Sequence, residues 1–290
     1  MTTARIDPHT HSTVSDGTDS PTGLVEAAAA ARIDVLGVTD HDTTAGWADA
    51  VAAGERLGVT ILRGMEVSTQ HEGRSIHLLA YLFDPGHPGL LARTERARSS
   101  RLDRARMMVE RIAVDFPITW EDVLRHVDDG TTVGRPHIAD ALVAAGHVPN
   151  RNAAFAPGGP CANRTKYYVP HYAPDVGEAI GLVREAGGVP VMAHPWAQRG
   201  RALTARALDE AIEAGLLGLE VDHLDHDDEA RAGLRRLAER HDLLVTGSSD
   251  YHGTGKTNRL GDHLTDPGQL ERIVAAGTLP LAGAGHRDAR

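Results

Sequence analysis

Short apolar runs alternate with helix-forming segments through most of this chain. Ala4–Asp7, Val35–Thr39, Val59–Ser68, Ser75–Leu82, Val189–Ala193, Leu217–Val221 and Leu243–Thr246 read as seven strands. Ser20-Pro21 is an N-cap and first-position pair that opens a helix to about Arg32. Further helices are expected over roughly 45–57, 176–186, 205–214, 228–240 and 269–276. Strands separated by helices make βαβ units and a parallel sheet. Seven such units predict a small closed barrel. The alternation breaks near Leu90: Leu90–Val114 is long, helical and arginine-rich, and Trp120–Val127 and Pro136–Ala145 read as two more helices. Asn150–Lys166 is rich in Gly, Pro, Asn and Ala and reads as loop. The expected organisation is α/β, with a barrel over 1–92 and 173–290 and a mostly helical insertion over 93–172.

The ionisable residues are placed by this pattern. His9, His11 and Asp16 follow the first strand, and Asp40, His41 and Asp42 follow the second. Glu66 lies late in the third, His77 in the fourth, His194 after the fifth, and Asp250 and His252 after the seventh. In a parallel barrel the strand ends meet at one rim, where active sites form, so residues far apart in sequence should converge. If the first strand persists, His9-x-His11 presents both imidazoles to the same side. Six histidines and three carboxylates brought together are costly to bury unless paired or metal-bound, and histidine is the commonest metal ligand. Composition narrows the setting. The net charge of -10 disfavours duplex DNA as a partner. Cys161, the single cysteine, excludes an internal disulfide and a thiolate zinc site. No run approaches a membrane span and the first residues carry no apolar signal core, so a cytoplasmic location is expected.

His9-x-His11, Asp40-His41, the His194 segment and Asp250-x-His252, in that order, resemble the motifs of the PHP (polymerase and histidinol phosphatase) family of metal-dependent phosphoesterases. Glu66, His77 and Asp16 in Ser15-Asp16-Gly17 match as well. The resemblance implies a distorted seven-stranded (β/α)7 barrel and a centre of three divalent metal ions. It places His9, His11, Glu66 and Asp250 on the first metal, Glu66, His77 and His194 on the second, and Asp16, His41 and His252 on the third. Imidazole and carboxylate together suit manganese, iron or zinc. The implied reaction is hydrolysis of a phosphate ester by a hydroxide held between metals, with Asp250, His194 and Glu66 as the catalytic ligands. No leaving-group acid is assigned. Asp40 and Asp42 are expected to orient His41 and its loop.

Gly134-Arg135-Pro136-His137 resembles a segment of the PHP branch that includes nucleoside 3′,5′-bisphosphate phosphatases and 5′-to-3′ exoribonucleases. This makes Arg135 and His137 candidates for substrate phosphate, and the inserted helices a cap over the site. Lys166 is a further candidate. Where that branch carries Gly-Arg-Tyr after its histidine-proline pair, this chain has Trp196-Ala197-Gln198-Arg199-Gly200, so Arg199 is expected to act from a longer loop and Trp196 to line a base pocket. Gly255-Lys256-Thr257 is not a P-loop, because Asp250 stands where that motif needs glycine; Lys256 and Arg259 remain candidate phosphate contacts. The arginines around 93–111 read first as a solvated helix face, with a groove for short RNA as the alternative. The expected partner is a small phosphorylated substrate, a nucleotide or short RNA, with no membrane. The alternatives are a cyclic-phosphate or sugar-phosphate esterase, and an amidohydrolase-type C–N hydrolase.

Overall fold

A computed structural model of the chain describes residues 3–127, 131–197 and 203–284. Its elements are β1 (Ile6–Asp7), α1 (Pro21–Ala30), β2 (Val35–Val38), α2 (Trp47–Leu57), β3 (Thr60–His71), β4 (Arg74–Tyr81), α3 (Pro88–Ile112), α4 (Trp120–Leu124), α5 (Arg135–Ala144), α6 (Arg151–Phe155), α7 (Val176–Glu185), β5 (Val189–Met192), α8 (Ala205–Glu213), β6 (Gly218–Asp222), α9 (Asp228–Arg240), β7 (Leu244–Gly247), α10 (Pro267–Ala276) and β8 (Ala282–Gly283). Ser20 Oγ accepts from the Gly23 N–H at the start of α1, as its place before Pro21 predicts. Inside the segment expected to be loop, α6 forms because the Asn150 side chain caps it by accepting from the Ala153 N–H.

The strands lie in the order β1-β2-β3-β4-β5-β6-β7. They form a nearly closed barrel. Thr10 and Tyr251 bridge the gap between first and last strands, and the Ser249 N–H donates to Asp7 Oδ1 at 3.0 Å. Not all pairs are parallel. β4 runs antiparallel to both β3 and β5. The cause is local: Glu72 and Gly73, at φ 47° and 72°, make a two-residue turn joining Gln70-His71 to Arg74-Ser75. A link that short can only reverse the chain. β8, not foreseen, pairs antiparallel with β3. The reversal matters for the site, because the beginning of β4, not its end, lies at the rim.

Two apolar sets line the two faces of the strands. Leu78 and Ala80 belong to one, Leu79 and Tyr81 to the other, following the two-residue period of a strand. A separate buried set, including Met108, Ile112, Val123, Ile138, Leu142, Ala154 and Tyr167, holds α3–α6 together. α3 reaches back to the barrel through Leu90, which joins the set shared by strands and outer helices.

Candidate metal centre

Glu66 is the hub of the rim. His77 Nδ1 lies 2.7 Å from Glu66 Oε1, and His194 Nε2 lies 3.3 Å from the same oxygen. Oε2 faces His11 Nε2 at 3.0 Å, His9 Nε2 at 3.3 Å and His41 Nδ1 at 3.3 Å. The five imidazoles arrive by four segments, His9 and His11 together on the loop after β1. His41 forms a parallel bridge with Glu66, and His77 is registered beside Ser68 on the reversed β4. Asp250 Oδ1 stands 3.5 Å from both His9 Nε2 and His11 Nε2. Asp16 stands 3.3 Å from His252 Nε2 and 3.8 Å from His41 Nε2. The loop carrying Asp16 is folded tightly: a Cβ on Gly17 would collide with the His11 carbonyl. The Asp40 carboxylate clamps it by accepting from the Ser12 N–H at 2.8 Å and Ser15 Oγ at 2.7 Å. Asp42 accepts from the Ser68 N–H at 2.7 Å and faces Arg101 Nε at 3.2 Å. Asp42, His194 and Asp250 all have left-handed φ, at 55°, 30° and 50°. Non-glycine residues hold such backbone only where the surroundings enforce it.

The donor set fits divalent cations. Three overlapping groups have their ligand atoms within 4.8 Å of one another: His11, Asp16, His41 and His252; His9, His11 and Asp250; and His41, Glu66 and His77. The grouping differs from the one the resemblance implies, since His11 joins two groups and His41 sits with Glu66. His194 lies beside Glu66, outside these three groups. Among the described residues, His41 Nδ1 is buried without a hydrogen-bond partner. The charge states of the carboxylates suit metal as well. Burial alone would raise the carboxyls, but His41, His77 and His9 hold Glu66 well below the usual range. Lys256, His252 and His9 do the same for Asp250. Burial, with Lys256, lowers His252 to about 4, so its imidazole is neutral. In His9 and His11 burial is outweighed by the surrounding carboxylates, and His11 is raised to about 9.

Residues with no assignment from sequence complete the site. Glu220, fully buried in β6, accepts from His9 Nδ1 at 2.9 Å, from the His194 N–H at 2.8 Å and from Ser248 Oγ. That bond leaves His9 Nε2 facing Glu66 and Asp250. The signal was a carboxylate amid the apolar run Leu219-Val221, where an unpaired charge is costly. His223 Nε2 lies 3.5 Å from Asp250 Oδ2, and His226 accepts from the Trp196 N–H at 3.1 Å. From the inserted helices, Arg151 grips Asp140 with two 2.5 Å bonds and donates to the Asp16 carbonyl at 3.2 Å.

The substrate candidates divide. Lys256 Nζ is at the centre, 2.6 Å from Asp250 Oδ2. It also lines a cleft of about 610 Å³ with Thr18, Arg151 and Thr254, between barrel and inserted helices. Arg135 is half-buried and donates to the Cys161 carbonyl at 3.1 Å and to Asn163 Oδ1 at 2.6 Å. His137 Nδ1 accepts from the Gly134 N–H at 3.1 Å, so it caps α5. Lys166 is not brought to the rim: it is exposed and paired with Asp115 at 2.6 Å. Arg259 is exposed, and its backbone N–H donates to Asp262. Arg199 lies outside the described residues. Trp196 packs against the barrel core, its Nε1–H donating to the Leu203 carbonyl at 3.2 Å.

Residues 7–105 match the PHP domain. A 3′,5′-nucleoside bisphosphate phosphatase from Chromobacterium violaceum is 35% identical over 271 residues, covering 91% of this chain and 92% of that protein. A phosphoribosyl 1,2-cyclic phosphate 1,2-diphosphodiesterase from Eggerthella lenta is 34% identical over 267 residues, covering 88% and 97%. A crystal structure from Bifidobacterium adolescentis, of a protein proposed to be a metal-dependent phosphoesterase, superposes with a TM-score of 0.92. It is 46% identical, over 95% of this chain and 97% of that one.

Proposed function

This chain belongs to the PHP-domain family of metal-dependent phosphoesterases, and we propose that it removes the 3′-phosphate of nucleoside 3′,5′-bisphosphates. The observation that carries the reading is the convergence of five imidazoles on Glu66, flanked by Asp16 and Asp250, beneath inserted helices rich in arginine. In this reading the cofactors are three divalent cations: manganese, iron or zinc. His9, His11, Glu66 and Asp250 hold one, Glu66, His77 and His194 another, and Asp16, His41 and His252 the third. When bound, such cations neutralise phosphoryl oxygens and acidify water. The chain's own groups do the rest. Glu220 fixes the tautomer and aim of His9. Asp40 sets the loop bearing Asp16. Lys256, paired with Asp250, offers its ammonium to a phosphate oxygen at the mouth of the cleft. Segment 93–172 acts as the substrate cap, with Arg135 contributing charge and His137 fixing the helix start beside it. The partner is a small phosphorylated nucleotide, with 5′-to-3′ trimming of short RNA as a secondary activity, in the cytoplasm.

The test is phosphate release by manganese-loaded enzyme from adenosine 3′,5′-bisphosphate, beside 5′-AMP, 3′-AMP, histidinol phosphate and a phosphoribosyl 1,2-cyclic phosphate. Preference for the bisphosphate with 5′-AMP as product is expected. The Eggerthella lenta relative makes the cyclic ester the second reading, and preference for that ester would overturn the first.

A further inference from the structure

His223 is the first residue after β6, and it is 1% exposed. Its surroundings fix the ring. The His223 carbonyl accepts from the His226 N–H at 3.1 Å and from Arg231 Nη2 at 3.0 Å, so α9 pins the turn. His223 Nδ1 accepts from the Asp225 N–H at 3.1 Å. A ring nitrogen that accepts carries no proton, so the proton of this imidazole is on Nε2. His226, three residues on, engages both ring nitrogens with backbone: Nδ1 donates to the Val221 carbonyl at 2.8 Å, and Nε2 accepts from the Trp196 N–H at 3.1 Å. His226 holds the turn, and His223 has a donor left over.

That donor lies in the metal centre. His223 Nε2 is 3.5 Å from Asp250 Oδ2, and its ring centroid is 5.2 Å from that of His194. The first separation exceeds the roughly 2.7–3.2 Å of an N–H···O bond. Lys256 Nζ already holds the same oxygen at 2.6 Å. Among the described residues, His223 Nε2 is buried without a hydrogen-bond partner. A buried donor left unmet is unfavourable and calls for an acceptor. A protonated Nε2 has no lone pair to give a cation, so His223 is not a tenth ligand beside the nine residues named above. Its match is an anionic oxygen. The Asp250 carboxylate divides the space: Oδ1 faces His9 and His11, and Oδ2 faces Lys256 and His223. An oxygen bound on the Oδ2 side meets an ammonium and an imidazole N–H together.

We propose that His223 is a catalytic residue whose Nε2–H hydrogen-bonds an oxygen of the reacting phosphate and keeps its proton throughout. This rests on the reading of the metal centre as the place where a phosphate ester is cleaved, and it holds for any ester cleaved there. The bond strengthens as charge builds on the phosphoryl oxygens, so His223 lowers the barrier more than it aids binding of the substrate.

The test compares two variants of the manganese-loaded enzyme. His223→Phe keeps a ring and loses the donor, whereas His223→Gln keeps an N–H near the place of Nε2. His223→Phe should lower kcat by about a hundredfold, with KM and chelator-competed metal affinity near wild type. His223→Gln should recover most of that loss. Wild-type kcat in His223→Phe would overturn the proposal. A fall in metal affinity that accounts for the lost turnover would also overturn it, because His223 would then be a positioning residue for Asp250. Equal losses in the two variants would count against the N–H in the same way. Calorimetric titration with inorganic phosphate needs no turnover and separates this proposal from the reading it rests on. His223→Phe should bind phosphate about tenfold more weakly than wild type. Were the wild type to cleave no phosphate ester yet show that tenfold difference, the hydrolase reading would fail and the contact would stand. An inert wild type with phosphate affinity equal to that of His223→Phe would end both.

Discussion

Replacing Glu220 with glutamine isolates what one buried carboxylate does for the centre. Oε1 accepts from His9 Nδ1 at 2.9 Å and from Ser248, and Oε2 accepts from the His194 N–H at 2.8 Å. All three neighbours are donors. Glutamine keeps the shape but has one acceptor, so its NH₂ must face either His194 or the His9–Ser248 pair. The lost charge-assisted bond to His9 costs about 1.5–3 kcal/mol, and the unmet buried donor about 1–3 kcal/mol more. The sum, roughly 2.5–6 kcal/mol, divides between folding and metal binding. On the metal side, losing the partner of a ligating histidine weakens affinity by roughly 10–100-fold. Competitive titration with a metal chelator reads the second part, and thermal unfolding of metal-free protein reads the first. If Glu220→Gln left both metal affinity and Tm at wild-type values, the bond to His9 would have no role in holding the site and the reasoning would be refuted.

Asp250→Asn should lower kcat/KM by at least about a thousandfold, roughly 4 kcal/mol, while near-native circular dichroism shows the barrel intact; retained turnover would remove Asp250 from the chemistry. Because the carboxylates around them outweigh burial and raise His9 and His11, the latter to about 9, metal uptake at pH 7 should release protons. Calorimetry in buffers of different ionisation enthalpy checks this, and buffer-independent heats would contradict it. Metal-free protein should be most stable near pH 6.5. Raised groups such as His11 contribute stability that is complete below their ordinary value and lost as pH climbs through about 9. Depressed groups such as His171, at about 2, and His252, at about 4, contribute stability present above 6.5 and lost as pH falls. His171→Gln should flatten only the acid limb of a Tm–pH curve, and an unchanged acid limb would exclude His171 as its source.

Much of the site was readable from residue type and spacing. His9-x-His11 and Asp250-x-His252 stand just past strands whose apolar runs are visible in the sequence, and strand periodicity and barrel geometry carry such residues to one rim. The residues of a turn at His71-Glu72-Gly73 are visible in the sequence too, because they are adjacent to one another. Its consequence for the sheet was not read: a two-residue link reverses β4, so His77 reaches Glu66 from the start of its strand. Other features exist only through contacts between distant segments. Glu220 acquires its role from His9, 211 residues away. Lys166 and Arg104 are both cations of the inserted segment, yet one is exposed and paired with Asp115 while the other is buried with no acid partner among the described residues. Helical periodicity states which residues share a face, but not whether that face meets water or the barrel. Local sequence therefore determined which groups could ligate a metal and roughly where along the strands they lie. Tertiary packing decided which of them share a ligand cluster, which acids hold them, and which arginines lost their water, because burial and charge pairing depend on chain segments that meet only once the barrel has closed.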